Sequence, residues 1–142
     1  MRSARALVTV TLVLGVGGCG SVSPIDQVGA KVRQFATATD TRNPRVLCDQ
    51  VLAPALVNRL TAAGLSCRQA MKVFVSSVSH PTLSVSKVSV SGATASAGVR
   101  AGAAGQAAAL ESVQLVRTAQ GWRLVSLAAP RWGSRRSRYG IG

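Results

Sequence analysis

Few side chains of this chain can move a proton near neutral pH: Asp26, Asp40, Asp49, Glu111 and His80. Acid–base catalysis needs such a group within hydrogen-bond reach of its proton, commonly beside a second group of different pKa. Asp26 stands at the start of a helical pattern, where the helix dipole favours a carboxylate, and Asp40 follows the end of that helix in a turn. Asp49 falls in a helical stretch near several arginines, which suits a surface pair. His80 precedes Pro81 and reads as a turn residue, pH-responsive and without a catalytic role. Glu111 stands on an expected strand, pointing either inward or to solvent, and is the one acid placed to be an internal base. The chain shows no Ser-His-Asp grouping, phosphate loop or metal cluster, and its single tyrosine, Tyr139, lies near the C-terminus. The expectation is a protein without catalysis and without a cofactor.

The cysteines carry more information. Residues 1–5 are basic and residues 6–17 form an uncharged apolar run, too short to cross a bilayer comfortably. The run ends in Val16-Gly17-Gly18-Cys19, which resembles the lipobox of bacterial lipoproteins, although Gly17 is less usual there than Ala or Ser. The resemblance implies cleavage between Gly18 and Cys19 and a diacylglyceryl group, with palmitate-type chains, on the Cys19 thiol. One acyl chain anchors only marginally, so a two-chain lipid meets the physical requirement. An ordinary signal peptide with a nearby cut and a free or paired Cys19 is the alternative.

Cys48 and Cys67 then form an even pair in a compartment that permits oxidation, and a disulfide is expected. It would close a loop of 19 residues, worth on the order of 3 kcal/mol by chain entropy. Two separately buried thiols are the alternative. A metal site would need further soft ligands, and His80 alone does not complete one.

Lys and Arg number 17 against 4 Asp and Glu, a formal net charge of +13. Losing Arg2 and Arg5 with a signal peptide leaves 15 basic side chains and about +11, so the excess belongs to the mature protein as well. Such a balance favours anionic partners, here lipid headgroups or an envelope polymer. Arg131, Arg135, Arg136 and Arg138 concentrate that charge near the C-terminus, where Trp132 and Tyr139 could also stack on bases. An exported domain seldom meets nucleic acid.

Between the leader and this tail the pattern changes once. Ile25, Val28, Val32 and Phe35 recur at helical steps to about Thr39, with Lys31 and Arg33 off the stripe. Asn43-Pro44 is a helix opening, with Val46, Leu47 and Val51 facing inward. Pro54 divides that segment, which closes at Gly64 with Leu56, Val57 and Leu60 inward. Ser66 with Gln69 reads as a capping box for a helix carrying Met71, Phe74 and Val75 inward and ending near His80-Pro81. From Thr82, β-branched residues alternate with serine, and a parity shift at Ser86-Lys87 predicts a bulge. Turns at Ser91-Gly92, within 102–105 and at Ala119-Gln120-Gly121 give four antiparallel strands ending at Leu127. Helices before strands indicate an α+β domain. The expected map is a signal peptide at residues 1–18, a lipidated tether at 19–24, the α+β domain at 25–129 and a basic disordered tail at 130–142.

This order, the cysteine pair in the helical half, and the ending Glu111-Ser112-Val113-Gln114-Leu115-Val116 followed by Gly121-Trp122-Arg123-Leu124-Val125 resemble small secreted proteins of the nuclear transport factor 2-like superfamily. The likeness spans residues 25–127. It implies a cone, with N-terminal helices packed on a curved four-stranded antiparallel sheet and a pocket able to open at the wide end. The superfamily holds enzymes such as ketosteroid isomerase and many non-catalytic members. Three functions follow as expectations: a lipid-anchored, extracytoplasmic module binding a protein partner or apolar ligand, an isomerase-like or dehydratase-like enzyme, or charge-driven adhesion to anionic surfaces.

Overall fold

Ser23 starts the helical layer by accepting a hydrogen bond from the Asp26 amide at 3.1 Å, with Pro24 in the first turn, where its missing N–H costs nothing. The computed structural model describes residues 20–126. Helix α1 (Pro24–Asp40) is followed by a short α2 (Pro44–Val46), a π-helical turn (Leu47–Val51), α3 (Pro54–Ala62) and α4 (Cys67–Ser77). Strands β1 (Thr82–Ser91), β2 (Thr94–Ala103), β3 (Gln106–Thr118) and β4 (Gly121–Leu124) complete the α+β fold as an antiparallel meander in the order β1-β2-β3-β4.

Most of the expected stripe of α1 is inside: Val28 and Val32 are fully buried and Phe35 stacks on Phe74 of α4 at 6.1 Å between ring centroids. Ile25, in the first turn, is the exception at 53% exposure. Lys31 also departs from expectation. It is partly buried, its Nζ donating to Gln34 Oε1 at 2.7 Å and to the Gln50 carbonyl at 2.9 Å.

The Asn43 side chain accepts from the Val46 amide at 3.1 Å, the expected cap. The α-helix it opens lasts one turn before passing into the π-helical turn, closed by the Leu52 amide on the Leu47 carbonyl at 2.9 Å. Leu52 then bridges Leu124 and the Ala53 amide bonds the Leu124 carbonyl at 2.8 Å, so the chain leaves the helix to pair with β4. Two cations from elsewhere cover the freed carbonyls: Lys31 on Gln50, and Arg123 Nη1 on Asp49 at 2.7 Å. A disulfide between Cys48 and Cys67, with Cα atoms 6.0 Å apart, ties this turn to the start of α4.

Ser66 caps α4 by accepting from the Gln69 amide at 3.2 Å, but its hydroxyl also donates to Gln69 Oε1, so only half of the expected reciprocal capping box forms. The helix ends at Ser77, earlier than His80-Pro81 suggested. In the sheet the register shifts between Val85 and Lys87, the bulge that the parity change predicts. The first hairpin turn falls on Gly92-Ala93, one residue later than expected, because Gly92 supplies the positive φ (57°) at the first central position.

The core lies between α1, the π-helical turn and one face of the sheet. Ala95, Ala97, Val99, Val113, Leu115, Trp122 and Leu124 form the sheet side, and Val28, Val32, Leu47, Val51, Met71 and Val75 the helical side. Arg117 lies over the Trp122 ring at 5.8 Å. The Trp122 indole N–H is buried without an acceptor among the described residues.

Candidate functional site

The inner face of the sheet is where the cone would hold a catalytic acid, and Glu111 is on it. Glu111 pairs with Val99, which pairs with Val85, and strand alternation puts all three on the face of Val113 and Leu115. Its surroundings do not make a dyad. Towards Leu115 and Trp122 the interior is filled by apolar side chains, and on the other side Ala109 is already exposed. The Glu111 carboxylate has no hydrogen-bond partner among the described residues. His80 precedes Val85 by five residues, roughly 15 Å of extended chain, so the two groups are not brought together.

Asp26 and Asp49 have structural roles. Asp26 Oδ2 accepts from the Ser23 hydroxyl at 2.7 Å within the cap of α1, and Asp49 pairs with Arg68 at 3.5 Å, both side chains at least half exposed. An exposed pair of that kind contributes little to stability. Burial, and behind it the nearby Arg123 charge, holds the Lys31 pKa below the usual lysine value. Cys19 with its Gly18 cleavage partner, and Arg131, Arg135, Arg136 and Arg138, lie outside the described residues, as does Leu127.

A second constellation was not visible in the pattern. Asp40 and Arg42, from the end of α1, face Val78, Ser79, His80 and Pro81, between α4 and β1, across an open cleft of about 240 Å³. The local bonding explains how each wall is built. Helix α1 ends in a Schellman arrangement: the Asn43 amide bonds the Ala38 carbonyl at 2.8 Å and the Arg42 amide bonds the Thr39 carbonyl at 3.1 Å. That motif needs a left-handed residue, and Arg42 adopts it with φ 51°, at a cost of about 1 kcal/mol relative to glycine. Helix α3 closes in the same way, with the Leu65 amide on Leu60 and the Gly64 amide on Thr61, but there the left-handed residue is Gly64.

On the opposite wall His80 is also left-handed, with φ 47°, and the Ala104 amide bonds the Ser79 carbonyl at 2.8 Å, fixing this loop to the β2–β3 turn. These are the two non-glycine residues with positive φ among the described residues, and both line the cleft. Strain of this kind is retained where surrounding structure over-determines it. The available sequence signals were a helix end lacking the customary glycine at Thr41-Arg42-Asn43 and the His80-Pro81 dipeptide. Neither signal could pair residue 40 with residue 80.

Of the 17 basic side chains, 11 lie in the described residues together with all 4 acids, and Arg68–Asp49 is the one ion pair among them. The described surface is therefore cationic on both layers. No group of three or more potential metal ligands stands together among the described residues, and none of their helices is long and apolar enough to cross a membrane.

No family model matches the chain, and no curated protein matches it. Solved structures do. The fold resembles a nuclear transport factor 2-like protein of unknown function from Silicibacter pomeroyi, with 18% identity, 72% of this chain and 90% of that chain covered, and a TM-score of 0.53. It also resembles a de novo designed protein of the same fold, with 12% identity, coverage of 76% and 88%, and a TM-score of 0.50. A Streptomyces avermitilis protein described as a candidate dehydratase of that family aligns at 21% identity over 70% of this chain and 89% of its own, with a TM-score of 0.48, too low to bear on chemistry. The architecture is nuclear transport factor 2-like. Fold at this identity carries no activity with it.

Proposed function

We propose that the protein is a lipid-anchored, non-catalytic binding module displayed on the outer face of a bacterial membrane. The observation that supports a non-catalytic reading is the filled inner face: Trp122, Leu115, Leu124 and Val113 pack under α1, and among the described residues Glu111 stands without a second acid or base, so binding would use the outer surface. The anchor rests on residues 1–19, where a basic leader and an uncharged run end in Val16-Gly17-Gly18-Cys19. Two acyl chains on Cys19 would hold the domain at the surface through the short segment that precedes Ser23, the cap of α1. The cationic surface, extended by Arg131, Arg135, Arg136 and Arg138, would then add attraction to anionic headgroups or an envelope polymer that weakens with salt.

The test is an intact mass of the protein from a bacterial membrane fraction, alongside Cys19→Ala. The expected mature chain starts at Cys19 and carries a diacylglyceryl mass that the variant lacks. An unmodified, soluble chain overturns the anchor. An isomerase-like or dehydratase-like activity is the second reading, favoured only by the inward position of Glu111. There, Glu111→Gln would abolish any turnover found, and unchanged turnover would reject the residue as base.

A further inference from the structure

We propose that the cleft formed by Asp40, Arg42, Val78, Ser79, His80 and Pro81 binds a small amphoteric molecule of the α-amino acid type, with a carboxylate held by Arg42 and an ammonium group held by Asp40. The proposal rests on the open cleft and its four polar side chains, all solvent-exposed and so available to a ligand in place of water, and is independent of the anchor and of catalysis. Four of its six lining residues carry polar side chains. None of the four makes a side-chain hydrogen bond or an ion pair to another described residue, and Asp40 and Arg42 stay unpaired although two residues apart in the chain. The other helical carboxylates are engaged, Asp26 by Ser23 and Asp49 by Arg68.

Opposite charges in one cleft select against simple ions. A lone anion drawn to the Arg42 guanidinium meets the Asp40 carboxylate, and a lone cation drawn to Asp40 meets Arg42. A zwitterion satisfies both at once, the guanidinium offering its planar fork to the carboxylate. Ser79 and His80 add hydroxyl and imidazole bonding capacity, and Val78 and Pro81 give an apolar wall for the ligand's carbon atoms. About 240 Å³ suits a ligand smaller than the drug-sized molecules that fill typical pockets. A metal ion is a poorer fit, since one carboxylate and one imidazole fall short of a coordination set. The walls are preset: the Schellman bonds hold Arg42, and the Ala104 amide holds the Ser79–Pro81 loop.

The test is a titration of the isotopically labelled mature protein, followed by amide chemical shifts, with L-alanine, acetate and ethylammonium as separate probes. Alanine is expected to give saturable shifts confined to the neighbourhood of residues 40–42 and 78–81, with each single-charge probe binding about tenfold more weakly. Asp40→Asn should weaken alanine about fivefold to tenfold and leave acetate no weaker, whereas Arg42→Asn should weaken both. Asparagine tolerates the left-handed backbone, so the Arg42 variant keeps the fold, and its unchanged amide pattern elsewhere verifies this. Absence of saturable shifts with alanine overturns the proposal. So does equal binding of alanine and acetate with no effect of Asp40→Asn, which would make the cleft a plain anion site.

Discussion

The two ends of the sheet are built differently although the same strands run through both. At one end Ala95, Val113, Leu115, Trp122 and Leu124 are buried under α1 and the π-helical turn, and the outer side of β4 is bridged by Leu52. At the other, β2 and β3 continue past the cover as an alanine-rich and glycine-rich hairpin, residues 107–110 are exposed, and Leu110 is 75% exposed. The cleft belongs to this thinner end, since Thr82 pairs with Gly102 and the Ala104 amide bonds Ser79. Stability is concentrated where the indole and the disulfide-tied helical layer lie, which leaves the hairpin end free to present polar and strained residues to a ligand. Local stability commonly divides in this way between a packed unit and a binding edge.

The sharpest way to break the contrast is Trp122→Ala. Removing a fully buried aromatic from the thick end should cost about 3–5 kcal/mol in denaturant unfolding, and a loss below about 1 kcal/mol would show that the indole is not the centre of that end. Next comes the covalent tie. Replacing Cys48 and Cys67 together by alanine should lower stability by about 3 kcal/mol, with the fold retained, as read by chemical denaturation under non-reducing conditions.

The thin end should respond in the opposite direction. Arg42→Gly relaxes a left-handed residue at a helix end whose counterpart on α3 is already Gly64, and should raise stability by about 0.5–1 kcal/mol. A fall in the melting temperature would mean that the arginine side chain contributes more by packing than its backbone costs. Smallest of all, Leu110→Ser should change unfolding free energy by no more than about 0.5 kcal/mol, because its side chain is already in water. A larger loss would place Leu110 under a covering that the described residues do not provide.

Much of the fold was legible in the sequence because its signals are local. Asn43 and Ser66 cap helices where short polar residues precede apolar stripes, and the bulge at Val85 to Lys87 follows from a break in alternation, whereas the cap at Ser23 lay in a segment read as tether. The Cys48–Cys67 bridge followed from counting thiols on the expectation of an oxidising compartment, and the order of elements carried the fold itself. The local misreadings are small, a turn one residue late at Gly92-Ala93 and a helix ending at Ser77 rather than near His80, whereas the larger one is long-range. Lys31 looked solvated on its helix, yet the Gln50 carbonyl freed by the π-helical turn draws it in across the fold.

By itself, then, the sequence determined the periods, most of the caps, the cysteine pair and the excess of positive charge, since each depends on residue type, count and spacing. Only the tertiary structure decided that Glu111 faces inward without a partner among the described residues and that Asp40 and Arg42 meet Ser79 and His80 across one cleft. Those outcomes depend on sheet register and on how α1 lies relative to β1, and the side chains concerned have no periodic relation that a local pattern could express.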